Sequence, residues 1–216
     1  MKSYVITIMD MPESVNAAKK CIQSMPEYDV QMFSAITPKD DPEKLASKYG
    51  LNLDFFRFDG EKYSRHHRCI SAFMSHYTLW QKCVEDNEEY QIFEHDAVCV
   101  GNLPKYINYQ GCISLGAPSY GKWNTPQTFG VNPLTSKQYF PGAHAYRMKP
   151  SAAKVITAAA EFGSAPTDVY LNLASFPWLE EYYPWPVIAR DSFTTIQTVN
   201  GCIAKHNYKE GNYDII

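Results

Sequence analysis

The sequence contains no long apolar run, no closely paired cysteines and no excess of positive charge. Its longest apolar stretches are broken by polar residues well short of the ~20 residues a membrane span requires, which excludes a transmembrane helix. The opening segment, Met1 to Asp10, has too little apolar length and no small-residue cleavage site for a secretory signal, so the expected location is the cytoplasm. Six cysteines (Cys21, Cys69, Cys83, Cys99, Cys112 and Cys202) show no CxxC spacing, and most lie in apolar runs. Reduced thiols are expected rather than a disulfide framework. With 20 Lys and Arg against 23 Asp and Glu, the net charge is −3, which excludes a chain that is basic throughout and grips nucleic acid by charge alone. A local basic patch is still compatible with that total. There is no internal repeat, low-complexity segment or interdomain linker, so one domain over residues 1–216 is expected.

What is present reads as strands alternating with helices, the pattern of a single α/β domain. Tyr4–Met9 is a short β-rich run, and Pro12 suits the first turn of a helix reaching about Ser24. Tyr28–Ile36 reads as a second strand, Pro42 opens a short helix towards Tyr49, and Leu53–Phe58 reads as a third strand. Cys69, Phe73, His76, Trp80 and Cys83 recur at helical spacing and mark the clearest helix. Strands are expected at Tyr90–Phe93, Gly111–Leu115 and Ala143–Met148, and helices at Pro150–Ala159 and Asp168–Ala174. Gly116–Gln138 reads as one long loop. Three aromatic-proline junctions, from Phe176-Pro177 to Trp185-Pro186, argue for irregular structure near the end.

Glu94-x-Asp96 is the sharpest chemical feature, although this composition produces the spacing by chance roughly two or three times. Its context separates it from chance. In a βαβ arrangement the carboxyl end of a strand opens into the ligand crevice. Two carboxylates just beyond Phe93 would be hard oxygen donors suited to Mg²⁺ or Mn²⁺. The bland alternative is a solvated acidic turn. Ser75-His76 does not make a nucleophilic pair, because adjacent helix residues diverge by about 100°. No Gly-x-Ser-x-Gly elbow is present to display the serine.

The run Cys69-Ile70-Ser71-Ala72-Phe73-Met74-Ser75-His76-Tyr77-Thr78-Leu79-Trp80, followed by Ile92-Phe93-Glu94-His95-Asp96, resembles glycosyltransferase family 25. That family carries a Gly-Cys…Ser-His…Leu-Trp helix and a strand ending in Glu-Asp-Asp. Further likenesses are Tyr4-Val5-Ile6-Thr7-Ile8, Phe33-Ser34-Ala35-Ile36, Gly142-Ala143-His144-Ala145-Tyr146, Ala152-Ala153-Lys154 and Pro166-Thr167-Asp168. The resemblance implies a GT-A-like, Rossmann-like fold with a mixed, mostly parallel sheet. It also implies a nucleotide-sugar donor, usually Mn²⁺, and inverting transfer. The chain departs from the family at His95, which replaces the middle acid, at Arg68, which replaces the glycine before Cys69, and in lacking an arginine within Met11–Ala17.

From these readings Asp96 and Glu94 are the expected metal ligands, joined from far along the chain by His206 or, second, by His144. A solvated tail histidine and a structural histidine beside Tyr146 are the respective alternatives. Asp168 is the expected base for the acceptor hydroxyl, with a helix cap as its alternative and Glu180 or Glu181 as weaker substitutes. Donor or acceptor contacts are expected from Thr7, Ile8 and Ala35 on the first strands and from Ser75, His76 and His144. Arg65, His66, His67 and Arg68 form a basic run that is either a solvated turn, a contact for the donor's diphosphate, or an entrance for a polyanionic acceptor. The function expected is a metal-dependent glycosyltransferase moving a sugar, from a UDP-sugar, to an acceptor. That acceptor is either a saccharide or a hydroxymethylated pyrimidine of bacteriophage DNA, with the Trp123 loop stacking on a flipped base. A binding module that kept the fold and lost catalysis is the alternative.

Overall fold

The computed structural model describes residues 1–58 and 66–190. Strand β1 (Lys2–Thr7) leads through helix α1 (Pro12–Gln23) to β2 (Val30–Ser34). A short 3₁₀ turn (Pro38–Asp40), α2 (Pro42–Lys48), α3 (Asp54–Phe58) and α4 (His66–Asp86) precede β3 (Tyr90–Glu94). Then follow β4 (Ala97–Cys99), β5 (Cys112–Ser114), β6 (Gly130–Pro133), β7 (Ala145–Met148), α5 (Pro150–Ala159), α6 (Thr167–Tyr170), β8 (Glu180–Tyr183) and β9 (Val187–Ala189).

Seven of these strands form one sheet in the order β2-β1-β3-β7-β5-β8-β6, while β4 and β9 pair separately. From the pairings, β1, β2, β3, β5 and β8 share one direction and β7 and β6 oppose it, so the sheet is mixed and mostly parallel. The chain leaves β1 to one side to make β2 and returns on the other side to make β3, both parallel to it. That reversal is a topological switch point, and a crevice opens beyond the carboxyl ends of such strands. Ile6 registers with Glu94, which puts the end of β3 on this crevice.

Side chains alternate across the sheet with period two, so each strand feeds two cores. Ile6, Tyr90, Ile92 and Tyr146 face α4, whose apolar stripe includes Phe73, Trp80 and Cys83. Val5, Phe93 and Ala145 face α1, through Ala18 and Cys21. The same parity aims Glu94 at α4. Arg147, on the α1 side of β7, is buried with its fork satisfied by Gln91 Oε1 (2.6 Å), the Tyr28 hydroxyl (3.2 Å) and the Pro104 carbonyl (2.7 Å). A buried guanidinium without such acceptors would be costly.

Four expectations need correction. Leu53–Phe58 is not a strand: Asn52 Oδ1 accepts from the Asp54 amide at 2.8 Å, an Asx turn that sends the chain into α3. The helix expected over Asp168–Ala174 stops at Tyr170, because the Asn172 amide takes the carbonyls of Val169 and Tyr170, each at 3.0 Å. The segment Gly116–Gln138 contains the edge strand β6, where Gly130 and Pro133 are tolerated because an edge has spare backbone groups. The aromatic-proline region includes β8 and β9. The five described cysteines are free thiols, as expected. No helix among the described residues is long and apolar enough to cross a membrane.

Candidate active site

The site begins with α4, which runs beneath the end of β3. His76 is buried on its apolar stripe, and its Nε2 lies 3.2 Å from Glu94 Oε1 while its Nδ1 lies 2.8 Å from the Tyr146 hydroxyl. The Trp80 indole N–H donates to that same hydroxyl at 2.8 Å. Since an indole only donates, the Tyr146 oxygen accepts from Trp80 and its own proton is free for His76 Nδ1, leaving His76 Nε2–H to donate to Glu94. The Tyr146 and His76 rings also stack. Glu94 is thus held from behind by a buried chain of aromatic groups, with its side chain about one-third exposed (32%) to the crevice. Burial pushes the Glu94 carboxyl up, but the hydrogen bond from His76 and the neighbouring imidazoles of His76, His144 and His95 outweigh it and hold the group below its ordinary range.

His144 is itself buried in a cradle of glycines. A Cβ on Gly116 would fall 2.3 Å from its Nε2, and one on Gly142 would fall 2.6 Å from its Nδ1. Both glycines are therefore required by close approach of the ring. His95 turns to the opposite face, where its Nδ1 lies 3.0 Å from Ser14 Oγ, which also accepts from the Ile8 amide at 2.8 Å. Asp96 follows in the turn, with Oδ1 buried and its backbone carbonyl accepting from the Arg190 amide at 2.9 Å. Burial, and then the Asp96 charge, push the Cys21 thiol up.

Asp168 lies in the first turn of α6 rather than at its cap, which is Pro166. Its Oδ1 accepts from the Val169 amide at 2.9 Å, and the Tyr120 hydroxyl donates to Oδ2. Burial raises the Asp168 pKa against those two bonds, and the charge of Glu94 raises it further. The structure thus brings Glu94 and Asp168 within electrostatic reach of each other. Tyr120, which bonds Asp168, and Lys137, which lies over the Tyr120 ring, were not signalled by any sequence pattern, since they lie in the segment that reads as loop; Tyr139, just beyond it, stacks on Tyr120.

Other expected residues are placed but engaged. The Thr7 hydroxyl is buried and donates to the Val5 carbonyl at 3.0 Å, and the Thr7 carbonyl accepts from the Ala35 amide at 2.8 Å. Ile8 is half-buried and Ala35 buried beside them. Ser75 Oγ accepts from the Ile36 amide at 2.9 Å and donates to the Ser71 carbonyl at 2.8 Å, so it fixes the exit of β2. His66 and His67 both turn to Glu43 Oε1, at 3.5 and 3.1 Å. Arg68 is exposed on the first turn of α4. Arg65 and His206 lie outside the described residues. Glu180 and Glu181 serve the fold: Glu180 accepts from the Gln110 amide at 2.6 Å, and the fully buried Glu181 accepts from the Thr135 and Ser136 amides at 2.7 and 2.8 Å.

The profile of glycosyltransferase family 25 (LPS biosynthesis protein) matches residues 1–128, well over half the chain and through the end of β3. The chain belongs to glycosyltransferase family 25. Over 79 residues it is 34% identical to the lipooligosaccharide biosynthesis protein lic2B of Haemophilus influenzae, covering 36% of this chain and 27% of that protein. The match thus spans about a quarter of that relative's length. Among solved structures, a CTP:phosphocholine cytidylyltransferase from Streptococcus pneumoniae aligns over 88% of this chain and 93% of its own. Its identity of 13% and TM-score of 0.36 are too slight to bear on the chemistry.

As members of this family, the residues at the end of β3 can be weighed as metal ligands. Among the described residues no three His, Cys, Asp or Glu side chains gather closely enough to hold an ion by themselves. Glu94 and Asp96 are hard oxygen donors of the kind Mg²⁺ or Mn²⁺ takes; Glu94 is partly exposed, whereas Asp96 Oδ1 is buried and its charge acts on Cys21 of α1.

Proposed function

We propose that this chain transfers a sugar from a nucleotide-sugar donor, a UDP-sugar, to a hydroxyl of a saccharide acceptor. The observation that supports this most is Glu94 at the end of β3, on the β1/β3 switch point of a family 25 chain, held by buried His76 and acting by its charge on the carboxyl of Asp168. The donor lies in the crevice beyond β1 and β3, where Asp96 and Glu94 would hold a Mn²⁺ or Mg²⁺ that would neutralise the charge of the leaving diphosphate. His76 orients the Glu94 carboxylate. Asp168 accepts the proton of the acceptor hydroxyl as its oxygen bonds to the sugar's anomeric carbon, and the bond from that carbon to the diphosphate oxygen breaks. A raised carboxyl pKa suits a general base, because it brings the group nearer the working pH. Attack from the side opposite the diphosphate makes the transfer inverting. A saccharide is favoured over DNA because the matching family model and the relative are named for LPS and lipooligosaccharide biosynthesis.

A thermal-shift screen of nucleotide sugars tests the reading, since a ligand at 100 times its Kd adds about 2.7 kcal/mol to apparent stability. A UDP-sugar should raise the unfolding midpoint with Mn²⁺ and much less without it. No shift from any nucleotide sugar in either condition would contradict the proposal.

A further inference from the structure

Tyr120 and Lys137 converge on Asp168 from the segment between β5 and β7, and their arrangement is more than filling. The Tyr120 hydroxyl donates to Asp168 Oδ2. Lys137 Nζ lies 3.8 Å from the centroid of the Tyr120 ring and 5.3 Å from that of Tyr139, and it donates to the Tyr120 carbonyl. The Tyr120 and Tyr139 rings stack with centroids 6.3 Å apart and planes 20° apart. Gly121 takes a φ of +68°, and a Cβ there would come within 3.2 Å of Lys137 Nζ, so the turn packs directly on the ammonium. One cation therefore grips the tyrosine by its face and its carbonyl, and that tyrosine grips the carboxylate.

A base must be ionised to take a proton, yet burial and the Glu94 charge both oppose ionisation of Asp168. Among the groups that act on Asp168, the Tyr120 hydroxyl and the Val169 amide favour the carboxylate, and Lys137 carries a charge that Asp168 favours. Burial lowers the Lys137 pKa while Asp168 raises it, and burial followed by Asp168 raises that of Tyr120.

We propose that Tyr120 and Lys137 are a positioning pair that fixes the Asp168 carboxylate for the acceptor hydroxyl. This inference rests on Asp168 being the base. Tyr120 orients Oδ2 directly, and Lys137 acts through Tyr120 and through its charge. The two oxygens of a carboxylate offer about four lone-pair sites, so the bonds from Tyr120 and Val169 leave room for the substrate.

Sugar transfer by the full chain with Mn²⁺, followed as kcat and donor KM across pH, tests the pair. Tyr120→Phe keeps the stacked ring and deletes only the hydroxyl. Its kcat should fall by about tenfold or more with donor KM within about twofold, because misplacement of the base is felt in the transition state. Lys137→Met keeps the stem and removes the charge, so Asp168 should stay protonated to higher pH and the acid limb of the kcat profile should move up. Lys137→Arg should bring it back. Asp168→Asn separates the two ideas: wild-type turnover there overturns the base reading and the pair with it. An inactive Asp168→Asn beside unchanged kcat in Tyr120→Phe and an unmoved acid limb in Lys137→Met overturns the pair alone. Loss of kcat in proportion to a lowered unfolding midpoint, with the acid limb unmoved, also overturns it, since a purely structural role predicts that pattern.

Discussion

Replacing Tyr146 by Phe removes one oxygen and leaves the ring, its stack on His76 and its packing against Phe140 in place. That oxygen serves two buried partners, the Trp80 indole N–H and His76 Nδ1, both at 2.8 Å. Trp80 is fully buried and His76 only 1% exposed, so water cannot replace the lost partner. Each orphaned buried group costs about 1–3 kcal/mol, so the change should cost about 3 kcal/mol. For a domain of this size that is a fall of about 6–12 °C in Tm. His76 would also lose the bond that sets its tautomer, and Glu94 its fixed orientation, so catalysis should fall alongside. Urea unfolding by fluorescence gives the free energy, and Tyr106→Phe, at an 86% exposed tyrosine, is the control that should change nothing. A Tyr146→Phe protein whose stability matches that control would refute the buried chain from Trp80 to Glu94.

Gly116→Ala places a Cβ 2.3 Å from His144 Nε2 and should cost about 1–3 kcal/mol by overpacking; Gly142→Ala meets the same ring and adds strain at a φ of +149°, so its urea midpoint should fall at least as far. The acid dependence of stability should differ in sign between the two site carboxylates. Glu94, held below its ordinary value, contributes stability that is present above about pH 4.5 and lost as pH falls through its lowered folded-state pKa, so Glu94→Gln should flatten that acid loss. Asp168, raised above 3.8, is the reverse: the wild type should lose stability relative to Asp168→Asn as pH rises from that value through the folded-state pKa. Unfolding free energies measured from pH 3 to 7 check both, and like-signed slopes for the two variants would contradict the assigned environments.

The elements that build the site floor were legible in the sequence because their signals are local. Spacings of three and four residues from Cys69 to Cys83 state the α4 stripe, and Tyr90–Phe93 reads as a strand ending at an acid. Asp168 was legible as a candidate but not its environment, because Tyr120 and Lys137 come from a Gly- and Pro-rich segment without periodicity. Leu53–Phe58 misled because an apolar run of that length fits a strand or one helical turn, and a single Asn52 side-chain bond decides between them. The strand β8 was hidden by its two glutamates, which are compatible with a strand here only because backbone amides of Gln110, Thr135 and Ser136 satisfy them. The roles of Ser75 and Thr7 were invisible for the same reason: a hydroxyl's partner is set by tertiary contact, not by its neighbours in sequence.

Release of nucleoside diphosphate from a UDP-sugar, followed with and without Mn²⁺ in the wild type and in Asp96→Asn, tests the central claim most directly. The account predicts Mn²⁺-dependent release by the wild type, stimulated by a saccharide acceptor, and a loss of at least ~100-fold in Asp96→Asn, or about 2.7 kcal/mol of transition-state stabilisation. Release that ignores Mn²⁺ and proceeds unchanged in Asp96→Asn would contradict it.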